Sequence, residues 1–176
     1  MTEGNVTVLA RAAVAQRVAS PPLRVARAVL ILHNSGGELL HPDDEILRSE
    51  ISGQHKALID AHLNKDVGFF VQDLSEDYVS VSGGEIRQPS VEEIRSTVSD
   101  YLDHTTFAEY RDLCEPIIGF SQDGSLAWSI VQVKVAGKRK MGDGSERDLD
   151  FICAWITLFE RQGDRWVRRA EVSSFK

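Results

Sequence analysis

Two cysteines, Cys114 and Cys153, in 176 residues are too few for a disulfide framework. They fit a reducing compartment, and the expected location is the cytoplasm. No uninterrupted apolar run reaches the ~18–20 residues of a spanning helix, so a helical membrane protein is excluded. The chain also lacks a basic excess. Its 20 lysines and arginines face 27 acids, a net charge of −7, whereas a nucleic-acid binder needs a basic face to neutralise phosphate. Gly83-Gly84 closes a strand and lacks the spacing of a phosphate loop. No Ser-His-Asp constellation and no internal repeat is present. A metal site is not expected: His55 and His62 are seven apart, whereas helical ligand pairs favour i,i+4, the cysteines are far apart, and no third ligand stands out.

What is present suits one globular domain: 42% hydrophobic and 27% charged residues, enough to bury a core of ordinary size. Charge divides the chain near residue 40. Up to Gly37, four arginines (Arg11, Arg17, Arg24, Arg27) face one acid, Glu3; the remainder holds 16 basic and 26 acidic residues. Residues 1–40 therefore read as an extension and residues 41–176 as the domain. The extension has three readings: a poorly packed arm or over-long start, an organelle-targeting leader, or a secretory signal, the last disfavoured because Arg11 and Arg17 interrupt its apolar region. Residues 28–32, Ala-Val-Leu-Ile-Leu, could add one strand.

From Pro42-Asp43-Asp44-Glu45, acids in a first turn predict a helix running to Asn64. Leu47, Ile51, His55, Leu58 and His62 recur on one of its faces. Asp66 opens a second, shorter helix with Val67, Phe70, Val71 and Leu74. A short strand follows at 78–81. Ser90 with Glu93 three residues on forms a capping box for a third helix, in which Ile94, Val98 and Tyr101 or Leu102 face inward. Long strands rich in aromatic and branched residues follow at 106–118, 125–136, 149–160 and 166–175. Glycine-bearing polar connectors join them, residues 137–147 among them. Helices followed by an antiparallel meander predict an α+β fold, three helices packed on one face of a curved sheet.

The stretch Ala61-His62-Leu63-Asn64-Lys65-Asp66 through Leu74-Ser75-Glu76-Asp77-Tyr78-Val79, with the closing Gly163-Asp164-Arg165-Trp166 hairpin and Val172-Ser173-Ser174 end, resembles the nuclear transport factor 2-like superfamily. In texture it is similar to the SnoaL-like and ketosteroid-isomerase-like bacterial members, over about residues 43–176. The resemblance implies a cone-shaped, cystatin-like fold around a mostly apolar pocket, a homodimer, and chemistry without a cofactor. The isomerases of that family use a tyrosine and two aspartates; by count these positions fall on Leu58, Ser82 and Ile156, none of which can do that chemistry.

The same count points Ala127, Ser129, Val131 and Val133 into the cone, with Ile152, Ala154, Ile156 and Leu158, and with Arg169, Glu171 and Ser173. With Leu58, Ser82 and Tyr101 these make the expected pocket. Arg169 and Glu171 share a strand face and would supply a cation and a carboxylate; burial would raise the glutamate's pKa and the guanidinium would lower it. Otherwise they form an exposed ladder pair. Glu171, His55 and His62 are the candidate catalytic groups, since an inward histidine can act as acid or base near neutrality. The opposite face would carry Trp128, Ile130, Phe151, Cys153, Trp155, Phe159 and Trp166. Apolar residues in that number on an open face mark an interface, and a homodimer through Trp128, Ile130, Trp155 and Trp166 is expected; the extension could instead cover that face. Two functions compete: a cofactor-independent lyase, isomerase or cyclase acting on a small hydrophobic or weakly polar molecule, and a non-catalytic ligand-binding or dimerisation module.

Overall fold

Proline at its first position, where the missing N–H costs nothing, and acids in its first turn open α1 (Pro42–Asn64). In this computed structural model the described residues are 42–176, so the extension and its expected strand at 28–32 lie outside them. Ile51, His55 and His62 on the α1 stripe are buried, and Leu58 is partly so. Lys65, in the left-handed region at φ 58°, turns the chain into α2 (Val67–Val71), where the Asp66 carboxylate accepts from Phe69 N at 3.3 Å. The expected short strand is longer, β1 (Leu74–Ser82), and pairs with β2 (Glu85–Arg87). In α3 (Val91–Asp103), Ser90 and Glu93 satisfy each other's backbone N–H groups as a capping box.

The expected strand at 106–118 is two: β3 (Thr105–Asp112) and β4 (Ile117–Phe120), separated around Pro116, which has no N–H to give a ladder. Both pair with β5 (Leu126–Lys140), followed by β6 (Glu146–Gln162) and β7 (Arg165–Phe175). Much of the 137–147 connector is therefore strand. Lys138 on its outer side is exposed and 3.7 Å from Glu146 across the ladder, while Arg139 on the inner side folds onto Asp100 at 2.9 Å and over the Tyr101 ring. Gly137 is required where it stands, because a Cβ there would lie 2.2 Å from the Thr106 carbonyl oxygen.

The sheet runs β2-β1-β7-β6-β5-β3, with β4 also on β5; only β1 and β7 are parallel. The fold is α+β, with helices packed on one face of this sheet. Under α1, Ile51 meets Ile118, Ala127, Phe159 and Trp166. Under α3, Val98, Tyr101 and Leu102 meet Ala61 and Phe70. No helix among the described residues is long and apolar enough to cross a membrane.

Register corrects the expected facing of β6. Ser129 opposes Thr157, Val131 opposes Trp155 and Val133 opposes Cys153, so the odd-numbered residues of β6 face inward. Ile152, Ala154, Ile156 and Leu158 lie on the outer face, and Ile156 is exposed. Trp155 and Trp166 are buried inside; of the three indoles only Trp128 lies on the outer face. The alternation of β6 could not reveal this, since both its faces are apolar. On β7, Phe159 opposes Arg168 and Leu158 opposes Ala170, leaving Arg169 as the unopposed residue of a bulge.

Candidate functional site

Between α1, α3 and the inner face of the sheet lies a cavity of about 110 Å3. Leu58, Phe70, Ile94, Val98, Phe151 and Trp155 supply much of its apolar wall. Among its polar groups are His62, Tyr78, Ser80, Tyr110, Arg168 and Glu171, and Arg87 and Glu93 also reach it.

His62 comes from the last turn of α1. Its Nδ1 lies 2.8 Å from the Leu58 carbonyl oxygen, which can only accept, so Nδ1 carries the proton and Nε2 the lone pair. Nε2 lies 3.4 Å from the Tyr110 hydroxyl, and the two rings stack at 4.3 Å. Phe70 meets the imidazole edge-on at 4.7 Å. Burial among these rings lowers its pKa to about 4, against a smaller raising effect from the Leu58 bond, so the imidazole is neutral at pH 7. Burial also pushes the Tyr110 and Tyr78 hydroxyls well up, and both stay protonated.

Glu171 stands on the inner face of β7, between Thr157 on β6 and Ser80 on β1. Among the described residues nothing hydrogen-bonds its carboxyl; the surface it retains faces the cavity it lines. Burial raises its pKa, and the Arg168 guanidinium opposes part of that rise. Arg168 does not bond Glu171. Its Nη2 donates to the carbonyls of Phe69, Phe70 and Gln72 at 3.0, 2.9 and 2.8 Å, satisfying the C-terminal end of α2.

The bulge therefore exchanges two consecutive arginines. Arg169, expected in the pocket, lies outside it, bidentate on Asp77 at 2.6 and 2.8 Å and 3.3 Å from Glu160. Arg168 takes the inner place. Leu58, Tyr101 and Ser173 line the cavity with Glu171 and His62. Ser82 neighbours it, accepting from Ser173 Oγ at 3.0 Å. Ser129 and Val131 are buried on the inner face but do not line it, and Ile156 and Leu158 are outside. His55 is buried away from the cavity, its Nε2 2.7 Å from Asp112 Oδ1 and its ring 5.8 Å from that of Trp155. Cys153 reaches the cavity, but burial pushes its thiol up to about 12, which leaves it no nucleophile. No cluster of three metal-ligating side chains occurs among the described residues.

Sequence reasoning missed Arg168, Tyr78, Ser80 and Tyr110. Tyr78 and Ser80 were legible, since they share strand parity with Ser82. Arg168 was hidden by the bulge and Tyr110 by a strand of mixed polarity.

No protein-family model and no curated protein matches the sequence. Solved structures do. A nuclear transport factor 2-like protein from Cytophaga hutchinsonii aligns at 18% identity over 77% of this chain and 98% of its own, TM-score 0.55. A suggested dehydratase of the nuclear transport factor 2-like family from Streptomyces avermitilis aligns at 11% identity over 76% and 97%, TM-score 0.57. A type 2 hexachlorocyclohexane dehydrochlorinase aligns at 12% identity over 76% and 88%, TM-score 0.60. At these identities the likeness concerns the fold.

Proposed function

We propose that this chain, whose fold is the nuclear transport factor 2-like fold, binds a small, largely apolar molecule in the cavity and moves a proton on it, with Glu171 and His62 as the acid–base pair. The observation that carries this reading is the Glu171 carboxyl, half-buried and without a hydrogen-bond partner among the described residues while it faces a largely apolar cavity. An orphaned buried polar group costs ~1–3 kcal/mol, an expense that a ligand able to bond it removes. A carboxyl pushed up and an imidazole pushed down bring both groups toward neutrality together, the condition in which one can give a proton while the other takes one. The Tyr78 and Tyr110 hydroxyls supply donors for negative charge developing on a substrate oxygen. The activities named for structurally similar proteins, dehydration and dehydrochlorination, also support a lyase or isomerase class. No step here calls on a cofactor.

A thermal-shift screen of ketones, lactones and hydrophobic acids tests the reading, because a pocket binder stabilises by mass action. The best binder is then carried into turnover assays. Glu171→Gln should keep binding and lose turnover by ~10²–10⁴-fold, the usual size of acid–base catalysis. Unchanged affinity and turnover in both Glu171→Gln and His62→Gln would remove the reading.

A second reading, a dimerisation module, is favoured by the outer face of the sheet. Ile117, Ile130, Ile156, Val172, Val81 and Ile86 align in one row across six strands, and all but Val81 are exposed. Rows through Trp128, Leu158, Ala170 and Val79, and through Gln132, Ala154 and Ser174, flank it. None of these side chains is charged. Charges gather beyond the rows, with Arg169, Asp77 and Glu160 at one end and Lys134 with Asp150 at the other. From strand and row spacings the uncharged area is roughly 500 Å2 in projection, toward the upper end of the ~300–600 Å2 covered by the largest patch of a monomer and over half of the ~800 Å2 that each partner buries in a standard interface. An apolar centre with a rim of both signs suits a second copy of this chain, related by a two-fold axis. We assign the interface to Trp128 and Ile130 with this row, in place of Trp155 and Trp166. Sedimentation of Ile130→Lys/Ile156→Lys should give a monomer where the unsubstituted chain gives a dimer; a monomeric unsubstituted chain would overturn it.

A further inference from the structure

Seven polar residues are buried in the described part of the molecule. Four bond protein atoms: His55 to Asp112, His62 to Leu58, Ser75 to Asp77 and Thr105 to Tyr101. The three that bond none, Ser80, Ser129 and Thr157, stand in one row with Glu171. Ladder register gives the order Ser129 on β5, Thr157 on β6, Glu171 on β7 and Ser80 on β1, each directly beside the next on the inner face. Four adjacent strands thus bring together three buried hydroxyls and the half-buried Glu171 carboxyl, none with a protein partner among the described residues. A direct hydroxyl bond across neighbouring strands is possible in this sheet, as Ser173 Oγ to Ser82 Oγ at 3.0 Å shows, but none joins Ser129, Thr157, Glu171 and Ser80, which leaves their oxygens to a bridging water between neighbours.

The row starts in the cavity, where Ser80 and Glu171 are lining residues, and ends beneath α1. There Ile118, opposite Ser129, closes it, with Arg48 Nη1 on the Ile118 carbonyl at 2.9 Å. Ile51 of α1 packs on the side of Ile118, Ala127 and Phe159; one helical turn on, His55 lies beside Trp155 in the next row. The Asp112 carboxylate can only accept, so His55 Nε2 carries a proton toward it; no described residue bonds Nδ1, which in the neutral ring holds the lone pair. The Asp112 side chain is 34% exposed and carries the pair to solvent.

We propose that a file of ordered water lies along Ser80, Glu171, Thr157 and Ser129 and continues to His55 Nδ1, giving the Glu171 proton a route to solvent at Asp112 that avoids the cavity mouth. Water is the ligand of this row because each of its hydroxyls and the carboxyl can both give and accept a hydrogen bond, and a buried water makes about three. A proton leaving Glu171 joins the adjacent water as that water passes one onward; at the far end His55 Nδ1 takes a proton and the imidazolium so formed is held by Asp112. The reverse sequence restores the carboxyl, and no group is consumed. This inference rests on Glu171 as the acid–base group, but the row itself can be examined without turnover.

A high-resolution crystal structure of the full chain should show ordered waters within hydrogen-bond distance of Thr157 Oγ1, Ser129 Oγ and the Glu171 carboxyl. Hydroxyls turned onto strand carbonyls with no such waters would overturn the proposal. The second measurement is hydrogen–deuterium exchange of the protonated Glu171 carboxyl, followed by its infrared C=O band and assigned by the loss of that band in Glu171→Gln. Ser129→Ala/Thr157→Val should slow the exchange tenfold or more, and so should His55→Phe; an unchanged rate in both would overturn the route. Should turnover prove independent of Glu171 while the waters are present and exchange is slowed, the function proposed above fails and the file stands.

Discussion

Replacing Glu171 with glutamine should make the protein more stable at neutral pH and leave it unchanged in acid. The carboxyl's folded pKa is raised by burial, so the native state holds its proton to a higher pH than the unfolded chain, where glutamate titrates near ~4.3. Below that value both states are protonated and the residue contributes no pH-dependent term. Above it the unfolded chain releases the proton first, and native stability falls with a slope approaching ~1.4 kcal/mol per pH unit until the folded group also ionises. The loss then stays constant, at ~1.4 kcal/mol for each unit of displacement. Glutamine has nearly the same shape and no charge. Urea titrations of both proteins, at intervals from pH 4 to pH 8, should therefore give curves that meet at the acid end and diverge upward, the variant being the more stable. A difference that is the same at every pH, or a wild type more stable at pH 7, would refute the claim that this carboxyl is held in the cavity without a partner.

His62 should act with the opposite sign. Its folded pKa near 4 lies below the ~6.5 of the unfolded chain, so about 3 kcal/mol of stability is present above pH 6.5 and lost as pH falls toward 4; its NMR ring resonances should stay flat from pH 8 to pH 5.5. Arg168→Met leaves three carbonyls at the end of α2 without their donor and should cost about 3 kcal/mol in chemical denaturation, while raising the Glu171 pKa further. Gly137→Ala drives a methyl into the Thr106 carbonyl and should cost about 2 kcal/mol or more, read as a lower melting temperature, because a backbone atom cannot step aside as a side chain can.

Local signals were legible wherever one physical demand dominated. The Ser90–Glu93 box, the Asp66 cap and the α1 stripe follow from unpaired N–H groups and a 3.6-residue period, and each stands where the residues place it. On β5, Ala127, Ser129, Val131 and Val133 point inward as expected, and the lysines of the opposite parity further along, Lys134, Lys138 and Lys140, mark the outer face. Long-range information was not legible. Ile152–Leu158 and Cys153–Phe159 are equally apolar sets, so only pairing with β5 decides which is interior. An ungapped count along β7 cannot foresee a bulge, and through it Arg169 displaced Arg168 in the expected site. Glu171 and His62 were legible as cavity candidates because their neighbours in sequence share their faces; Tyr110 reaches His62 only through a packing 48 residues distant.

That single unopposed residue on β7 gives the cavity's charge an unusual dependence on chain length. Were one residue removed between Val167 and Ala170, the remaining arginine would have to serve either the helix carbonyls or the Asp77–Glu160 pair, and one of the two would go without. Homologous chains can therefore differ in the electrostatics of this chamber with no substitution among its lining residues, so an alignment that ignores a one-residue gap here would compare an interior cation with a surface one.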